Sequence, residues 1–375
     1  MEQHVPPEEK YPAALNTFHS DLTTEQSPVR TSQLQIRLLE ASDISHWDAF
    51  VNGHPFGTPF HLLAWKRTLE DTFGYRPYYL LATGESGLHG VLPLFLVKNA
   101  IIGKALISTP FAVYGGILAN SVSDVKALHQ RAVELGKELR VDYVEFRNAH
   151  REQCATTPNV DRYVSFTQPL VAGENALLES LPRTVRNKVR KSLKQGFEMR
   201  YHSKDLRNFE KLYAKSMRRL GTPCFPAKYF ANLVRNFGEM VDVREVWLDG
   251  KPMAASLNFI YRDDMHIYYS AADADYNHLA PNTFMYFDQL RWGGDHGLKT
   301  FDFGRCKRNT GVFEFKRHWN TVMRELPYEV ALIKRKDLPN FSPVNPKFEM
   351  AIKIWRMLPL WLTRVLGPRL IRLFP

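Results

Sequence analysis

Cysteine is scarce in this sequence. Only Cys154, Cys224 and Cys306 occur among 375 residues, and they are far apart. An odd number of widely separated thiols excludes a disulfide framework, and none of the spacings is that of a zinc ligand set. We therefore expect a cytoplasmic protein that holds no metal and no bound cofactor.

Several catalytic signatures are also missing. The sequence has no Gly-x-Ser-x-Gly elbow, no His-Glu-x-x-His pair and no Walker phosphate loop. It begins MEQHVPPEEKYPAALNTFHS, without the apolar run behind a basic start that a secretory signal needs. Residues 1–32 are rich in Pro, Glu, Thr and Gln, and this composition predicts a disordered tail.

The charge balance is strongly positive. Lysine and arginine number 50 against 39 acidic residues, which gives a formal net charge of +11. Such an excess favours anionic partners, among them phosphates, RNA, acidic glycans and anionic membranes, without choosing between them. The hydrophobic content of 44% is enough for buried cores, so most of the chain is predicted to be globular.

Helical and strand patterns alternate along the chain, and the two halves look alike. Periodicity predicts a helix over residues 61–73, strands over 77–82 and 90–97, and a hairpin around Asp249-Gly250. This alternation predicts an α+β fold with mixed sheets flanked by helices.

A possible internal repeat supports that fold. The stretch VDYVEFR (141–147) follows a helix in the first half, and LKTFDFG (298–304) follows a helix in the second. The alignment pairs Glu145 with Asp302. It predicts a duplication of roughly 160 residues.

Residues 301–320, FDFGRCKRNTGVFEFKRHWN, combine aromatic rings with cations. The cations are Arg305, Lys307, Arg308, Lys316 and Arg317. One interpretation is a solvated strand–loop–strand, and the other is a loop that binds an anionic substrate at a sheet edge. Asp302 alternates with two phenylalanines and so faces away from them, either into a cleft or toward an arginine partner.

Residues 181–196, LPRTVRNKVRKSLKQG, are predicted to form a helix with one thin apolar stripe. That stripe consists of Leu181, Val185, Val189 and Leu193. Six cations cover the remaining surface, and Arg186 and Arg190 are the two that we expect to contact substrate. RNA, a pyrophosphate-linked lipid, an anionic membrane or plain solvation would each satisfy this face.

Tyr268 and Tyr269 are the aromatic pair best placed to line an acceptor groove. Because neighbouring strand residues point to opposite faces, at most one of the two should face it. His61 and His266 are candidate bases, although lone histidines are more often structural.

Residues 341–375 form a basic amphipathic tail. Pro359 and Pro368 are predicted to break it into short helices, none with the roughly 18–20 apolar residues that span a bilayer. Bulky apolar residues alternating with lysine and arginine favour an interfacial helix on anionic lipid. A helix packed across the domain surface is the alternative.

Three stretches resemble the FemAB family, whose members carry two tandem acyltransferase modules of the GNAT type. They are TPFHLLAWKRTLEDTFGYRPYYLLA (58–82), LPRTVRNKVRKSLKQGF (181–197) and NTFMYFDQLRWGGDHGLKTFDFGRCKRNTGVFEFKRHWN (282–320). The resemblance implies one GNAT-like module over residues 33–175 and a second over 176–335. The tail further resembles a bacterial subgroup associated with exosortase systems and exopolysaccharide synthesis.

This resemblance implies transfer of an acyl or aminoacyl group to an amine of a cell-envelope or exopolysaccharide precursor. The donor would be aminoacyl-tRNA or acyl-CoA, and the sequence shows no clear Gln/Arg-x-x-Gly-x-Gly/Ala loop of CoA-dependent enzymes. The acceptor would be a glycan or peptide precursor, in some cases lipid-linked. The protein would be cytoplasmic and peripheral to the inner face of the bacterial inner membrane.

The family match also implies site residues. In tRNA-dependent relatives a Phe-Lys pair near the end of the second module lies close to the transferred group, and Phe315-Lys316 matches it. Asp302, which is chosen from the alternation of its strand and not from the family match, completes the expected catalytic set. The expected substrate-binding residues are Arg305, Lys307, Arg308, Tyr268, Tyr269, Arg186 and Arg190. The competing hypothesis is a non-catalytic module that binds RNA, anionic glycan or membrane.

Overall fold

The computed structural model describes residues 34–160, 163–203, 205–337 and 346–375. The predicted disordered tail of residues 1–32 and the start of the C-terminal tail, residues 341–345, lie outside these ranges. In chain order the strands are β1 (Gln35–Leu38), β2 (Arg76–Pro77), β3 (Leu80–Gly84), β4 (Gly87–Leu92), β5 (Phe95–Asn99), β6 (Gly103–Ile107), β7 (Leu118–Ala119), β8 (Tyr143–Phe146), β9 (Val164–Pro169), β10 (Glu198–Arg200), β11 (Val241–Leu248), β12 (Lys251–Tyr261), β13 (Asp264–Ala272), β14 (Thr300–Cys306), β15 (Val322–Glu325) and β16 (Glu329–Leu332). The helices are α1 (Ile44–Gly53), α2 (Leu63–Phe73), α3 (Val122–Glu138), α4 (Glu174–Ser180), α5 (Arg183–Leu193), α6 (Arg207–Leu220), α7 (Ala227–Phe237), α8 (Pro281–Asp295), α9 (Gly311–Arg317), α10 (Pro346–Met357) and α11 (Leu360–Leu370).

Within the described residues these strands form three sheets. Their orders are β1-β3-β4-β7, β2-β5-β6-β8-β16 and β10-β11-β12-β13-β14-β9-β15. Each of the two larger sheets contains one parallel pair, β6 with β8 and β13 with β14, among antiparallel neighbours. Mixed sheets flanked by helices are the α+β arrangement that the sequence predicts.

Each larger sheet is completed by a strand from the other half of the chain. Strand β9 lies between β14 and β15, and β16 pairs with β8. The module bounds of 33–175 and 176–335 remain a prediction. Because strand pairing crosses between the halves in both directions, the halves cannot separate without breaking two ladders of hydrogen bonds.

The internal repeat is visible in the hydrogen bonds. Val141 N donates to Gly136 O at 2.9 Å, and Leu298 N donates to Gly293 O at the same distance, so both helices end in the same way. Glu145 and Asp302 then occupy equivalent positions, each in the last of three parallel pairs.

An aromatic core joins the two halves. Phe60 and Trp65 are fully buried, and their rings lie 4.8–6.1 Å from those of Phe259 and Tyr268. Aromatic side chains of this size bury roughly 150–250 Å² each. This packing fixes β13 relative to the first half of the chain, and so positions the site described below.

Local sequence signals are mostly confirmed. The hairpin of β11 and β12 turns at Asp249-Gly250, whose φ angles of 49° and 72° suit a type I′ turn. The prediction of one strand over residues 90–97 is wrong, because β4 and β5 lie in different sheets. Pro93 separates them, and since proline has no N–H to donate, it interrupts the ladder there.

The two helices of the C-terminal tail pack on the second half of the protein. The Trp355 indole donates to Thr222 O at 3.1 Å, and Gly367 lies so close to Cys224 that a Cβ would come within 2.7 Å of its Sγ. Pro359 precedes α11 as predicted, but Pro368 lies inside α11 rather than ending it. No helix of the described residues is both long enough and apolar enough to cross a bilayer.

Candidate active site

A cavity opens where two parallel strands part. Strands β13 and β14 pair at Asp264–Thr300, Met265–Phe301 and His266–Asp302, and then diverge. Between the diverging ends lies a cavity of about 270 Å³, which we call the reaction cavity. Predicted site residues in its wall are Tyr268, Tyr269, Arg305 and Lys316. A larger cavity of about 350 Å³ lies against His54 and Val122, and none of the predicted site residues lines it.

Lys316 projects into the wall of this cavity from α9. Residues Gly311–Arg317 form a helix and not a second strand, so the strand–loop–strand interpretation is wrong. The Thr310 side chain caps this helix by accepting the Phe313 N–H at 3.2 Å. The buried ammonium donates to the carbonyl oxygens of Gly304 at 2.9 Å and Arg305 at 3.1 Å. Burial lowers the pKa of Lys316 to about 8. Since an ammonium has three donors, two can be fixed by the protein while the third reaches a substrate oxygen.

Phe315 lies on the other side of α9. Its ring packs against Tyr286 and Trp319, with centroids 5.0 and 5.9 Å away, in the core of the second half. It is not part of the cavity wall. Of the predicted pair, Lys316 is therefore the member that reaches the cavity.

Asp302 is buried beneath the cavity wall. Its Oδ2 accepts a hydrogen bond from the Tyr114 hydroxyl at 2.8 Å and lies 3.1 Å from His266 Nδ1, while Oδ1 accepts the Gly304 N–H at 2.6 Å. Of the two alternatives for Asp302, the side chain does not line the cavity, and an arginine partner is not found among the described residues. A histidine and a tyrosine take its place.

Asp302 and His266 form a buried, hydrogen-bonded pair of titratable groups. Burial opposes the charged form of each, but their mutual hydrogen bond and attraction outweigh it. The pKa of His266 is consequently raised and the pKa of Asp302 is lowered. The raised pKa favours the imidazolium form of His266, and His266 lies against Asp302 instead of in the wall of the reaction cavity.

Gly304 connects this pair to Lys316. Its N–H binds Asp302, its carbonyl binds the Lys316 ammonium, and its φ of 73° favours glycine because a Cβ would strain the backbone. The position of the ammonium therefore depends on a carboxylate that does not itself line the cavity.

Both tyrosines of the predicted pair line the cavity. The prediction that at most one would do so is wrong, because Leu257 pairs with Tyr269 and Asn258 with Ile267, which leaves Tyr268 as a bulge. The Tyr268 hydroxyl donates to Phe111 O at 2.7 Å, and the Tyr269 hydroxyl lies 3.0 Å from that of Tyr229.

The predicted cations are distributed unevenly. Arg305 lines the cavity, donates to the Tyr328 hydroxyl at 3.0 Å and lies 4.7 Å from the centre of the Tyr163 ring. Lys307 lies over the same ring at 5.7 Å, and Arg308 forms a surface ion pair with Glu325. These two are outside the cavity wall.

The basic helix has the predicted amphipathic form. In α5, Val185 and Val189 are buried, Arg186 is half-buried and Arg190 is exposed. Neither arginine lines the reaction cavity.

Sequence reasoning placed Tyr114 among the aromatic residues that could line a groove but did not identify it as the partner of Asp302, and it missed the last residues of the tail. Tyr114 is 188 positions from Asp302, and no local pattern marks it as a partner. The cavity wall also contains Ile371, Phe374 and Pro375. The sequence showed that these residues are apolar but gave no sign that they reach the site.

Comparisons with known proteins agree with this geometry. Residues 180–317 match the family model of an acetyltransferase (GNAT) domain. A lipid II:glycine glycyltransferase of Staphylococcus haemolyticus (strain JCSC1435) is 23% identical over 407 aligned residues, which cover 83% of this chain and 97% of that protein.

Solved structures show the same fold. FemX superposes with a TM-score of 0.64 at 16% identity, over 80% of this chain and 98% of that one. A tandem GNAT protein from the clavulanic acid biosynthesis pathway gives 0.50 at 11% identity, over 81% and 100%. The predicted fold of two tandem GNAT-like modules is confirmed, as is the resemblance to FemAB-type proteins.

Proposed function

We propose that this acyltransferase of the FemAB type transfers an aminoacyl group from tRNA to an amine of a cell-envelope precursor, in the reaction cavity. The observation that carries the proposal is the Lys316 ammonium, held by two carbonyls at the point where β13 and β14 part. A fixed cation at such a place suits a reaction in which negative charge develops on one oxygen.

The chemistry needs little from the protein beyond positioning. The acceptor amine attacks the carbonyl carbon of the donor ester, the carbonyl oxygen becomes an oxyanion, and collapse expels the ribose hydroxyl while the amine loses a proton. Holding both substrates in reach supplies much of the rate, and a cation aimed at the oxyanion supplies more. Lys316 is positioned to be that cation, and Arg305 is a second positive group in the same wall.

Aminoacyl-tRNA is the donor that the observations favour. The relatives found over most of the chain are named glycyltransferases, and the exposed cations of α5 suit a polyanionic donor. Acyl-CoA is the alternative, since the similar tandem GNAT structure is described in relation to AcCoA. A non-catalytic binding module is the third reading.

The acceptor we propose is a lipid-linked glycan or peptide precursor. Lipid II is named for the glycyltransferase relatives, and their sequences match this chain over 83% of its length. An exopolysaccharide precursor is the alternative, and it rests on the resemblance of the tail to the exosortase-associated subgroup.

Thermal unfolding with candidate donors tests the function. A ligand at a hundred times its dissociation constant adds about 2.7 kcal/mol to the free energy of unfolding, which raises Tm visibly. We expect aminoacyl-tRNA to raise Tm more than deacylated tRNA does. The Arg190→Gln variant should bind both RNAs more weakly, and its binding should depend less on salt concentration. Stabilisation by acyl-CoA alone would favour the CoA-dependent reading, and equal response to charged and uncharged tRNA would favour a binding module.

We further propose that the tail rests on an anionic membrane surface. The face of α10 and α11 that does not pack on the protein exposes Met357 (83%) and Trp361 (67%) together with Met350, Ile354 and Val365. Exposed cations flank them, including Arg356 and Arg364. Each cation near an anionic surface contributes about 1 kcal/mol, and the apolar side chains enter the headgroup region.

Vesicle binding tests the membrane proposal. The double variant Met357→Ser/Trp361→Ser should sediment with vesicles of anionic lipid at least about tenfold less than wild type does, since it loses two large apolar contacts. Val122→Ser is the matched control, because Val122 is equally exposed (64%) on α3, outside the tail. Unchanged sedimentation of the double variant would contradict the proposal.

A further inference from the structure

A smaller cavity, of about 120 Å³, adjoins the reaction cavity. We call it the junction cavity, because Glu145 and Arg147 of the first half line it together with Arg305 of the second and with Phe374 and Pro375 of the tail. The last three of these residues also line the reaction cavity. A ligand group held in the junction cavity is therefore next to the place of acyl transfer.

The junction cavity is the first-half counterpart of the reaction cavity. Glu145 pairs with Ile107 in the last parallel pair of β6 and β8, as Asp302 pairs with His266 in β13 and β14. Two residues after Asp302 comes Gly304, and two residues after Glu145 comes Arg147. The duplicated site thus carries a guanidinium side chain at the position where the other copy has a glycine.

Arg147 is fixed in a single orientation. It is 3% exposed; its Nε binds Glu145 Oε1 at 2.8 Å, and its Nη1 donates to the carbonyls of Thr109 and Ala112 at 3.1 Å each. Its Nη2 donates to the backbone oxygen of Pro375 at 2.9 Å. Of these four hydrogen bonds, only the one to Pro375 involves the tail. A ligand oxygen could replace the Pro375 oxygen as its acceptor.

The side chains of this cavity carry an excess of positive charge. Arg147 and Arg305 contribute two guanidiniums, and Glu145 contributes one carboxylate. Arg305 binds a tyrosine hydroxyl, and no carboxylate oxygen among the described residues lies within 4 Å of its guanidinium nitrogens. A partly buried cation without an anionic partner favours a bound anion, and a guanidinium binds oxyanions with directed hydrogen bonds.

Residues 371–375, which we call the tail segment, lie against this cavity. Ile371 is buried, the Asn99 amide donates to Arg372 O at 2.9 Å, and Phe374 and Pro375 form part of the wall. The segment can leave the cavity without disturbing a strand, because its residues belong to no sheet.

We infer that Arg147 and Arg305 form an oxyanion subsite in the junction cavity, which takes a phosphate or carboxylate group, and that residues 374–375 occupy its mouth until a ligand displaces them. The inference deepens the proposed function in assigning that group to one of the two acyl-transfer substrates. Phosphate would point to a nucleotide or pyrophosphate-linked substrate, and carboxylate to a peptide.

Binding of inorganic phosphate and of acetate at constant ionic strength tests the subsite. We expect the Phe374→Ser variant to bind either phosphate or acetate about tenfold more tightly than wild type does. This factor follows if residues 374–375 block the subsite in about nine wild-type molecules of ten and the substitution removes the block. Adding Arg147→Gln to that variant should abolish the binding. Arg151→Gln, an arginine nearby with a 69% exposed side chain, is the matched control and should not change it.

Hydrogen exchange on the unaltered protein covers the case in which Arg147→Gln fails to fold. The anion should speed exchange at the Phe374 amide, which donates to Ile371 O at 3.0 Å, and slow it across residues 109–112. Equal binding with and without Arg147, or no response of the tail, would overturn the subsite. Because no step requires turnover, the subsite can stand if acyl transfer is never detected, and can fail while acyl transfer is confirmed.

Discussion

Replacing Lys316 with methionine is expected to lower kcat about 10²–10³-fold while KM changes little. Removing one fixed donor to an oxyanion costs about this much in enzymes that stabilise such charge. The ammonium is buried, donates to Gly304 O and Arg305 O, and lies in the wall of the reaction cavity. Methionine keeps the length of the side chain and removes its charge, so steady-state kinetics with saturating donor reports the loss directly.

The pH dependence of the same enzyme separates two roles for Lys316. With a pKa of about 8, the side chain is charged below that pH and neutral above it. If the ammonium stabilises the oxyanion, kcat should be constant through neutral pH and fall above about pH 8. If the neutral amine accepts the proton of the attacking amine, kcat should instead rise toward a plateau above about pH 8.

Arg317→Met is the matched control for this variant. Arg317 is the next residue of α9, is 59% exposed and pairs with Glu314 at the surface. It should keep wild-type kcat. Wild-type turnover in Lys316→Met would place the reaction elsewhere, and loss of activity in both variants would point to damage to α9 rather than to chemistry.

Replacing Asp302 with asparagine is expected to lower kcat about 10²-fold. Asp302 accepts the Gly304 N–H, and the Gly304 carbonyl accepts from Lys316, so a small displacement of this part of β14 moves the ammonium. A misplacement of about 1 Å can cost 10²-fold in rate. The effect should persist at temperatures where the variant is fully folded, which a comparison of kcat with the thermal unfolding curve establishes.

A compensating variant distinguishes positioning from simple destabilisation. Asp302→Asn alone leaves the buried His266 without its carboxylate, and removing one partner of a buried ion pair costs about 3–5 kcal/mol. Asp302→Asn/His266→Gln removes both charges, so Tm should recover while kcat stays low. Asp263→Asn, which alters a surface pair with Lys299, is the control and should be silent. Recovery of kcat together with Tm would show that Asp302 matters only for stability.

Much of the architecture was predictable because it depends on local patterns. Alternating periodicities indicated an α+β fold, and Asp249-Gly250 indicated a hairpin because few residues accept two positive φ angles. The stripe of Val185 and Val189 indicated an amphipathic helix. Lys316 was predictable only through the resemblance of Phe315-Lys316 to a family motif, since a lysine beside a phenylalanine has no distinctive spacing of its own.

The sequence by itself determined the helices, most strands and the residues able to take part in chemistry, because these follow from periodicity, turn chemistry and side-chain type. The contacts between distant segments were decided only by the tertiary structure. Tyr114 and His266 meet Asp302 through strand register and the packing of the two halves, and Tyr268 turns into the cavity through a bulge. Pro375 reaches Arg147 across 228 positions of chain. Contacts between distant segments arise from packing of the whole core, and no short pattern encodes them.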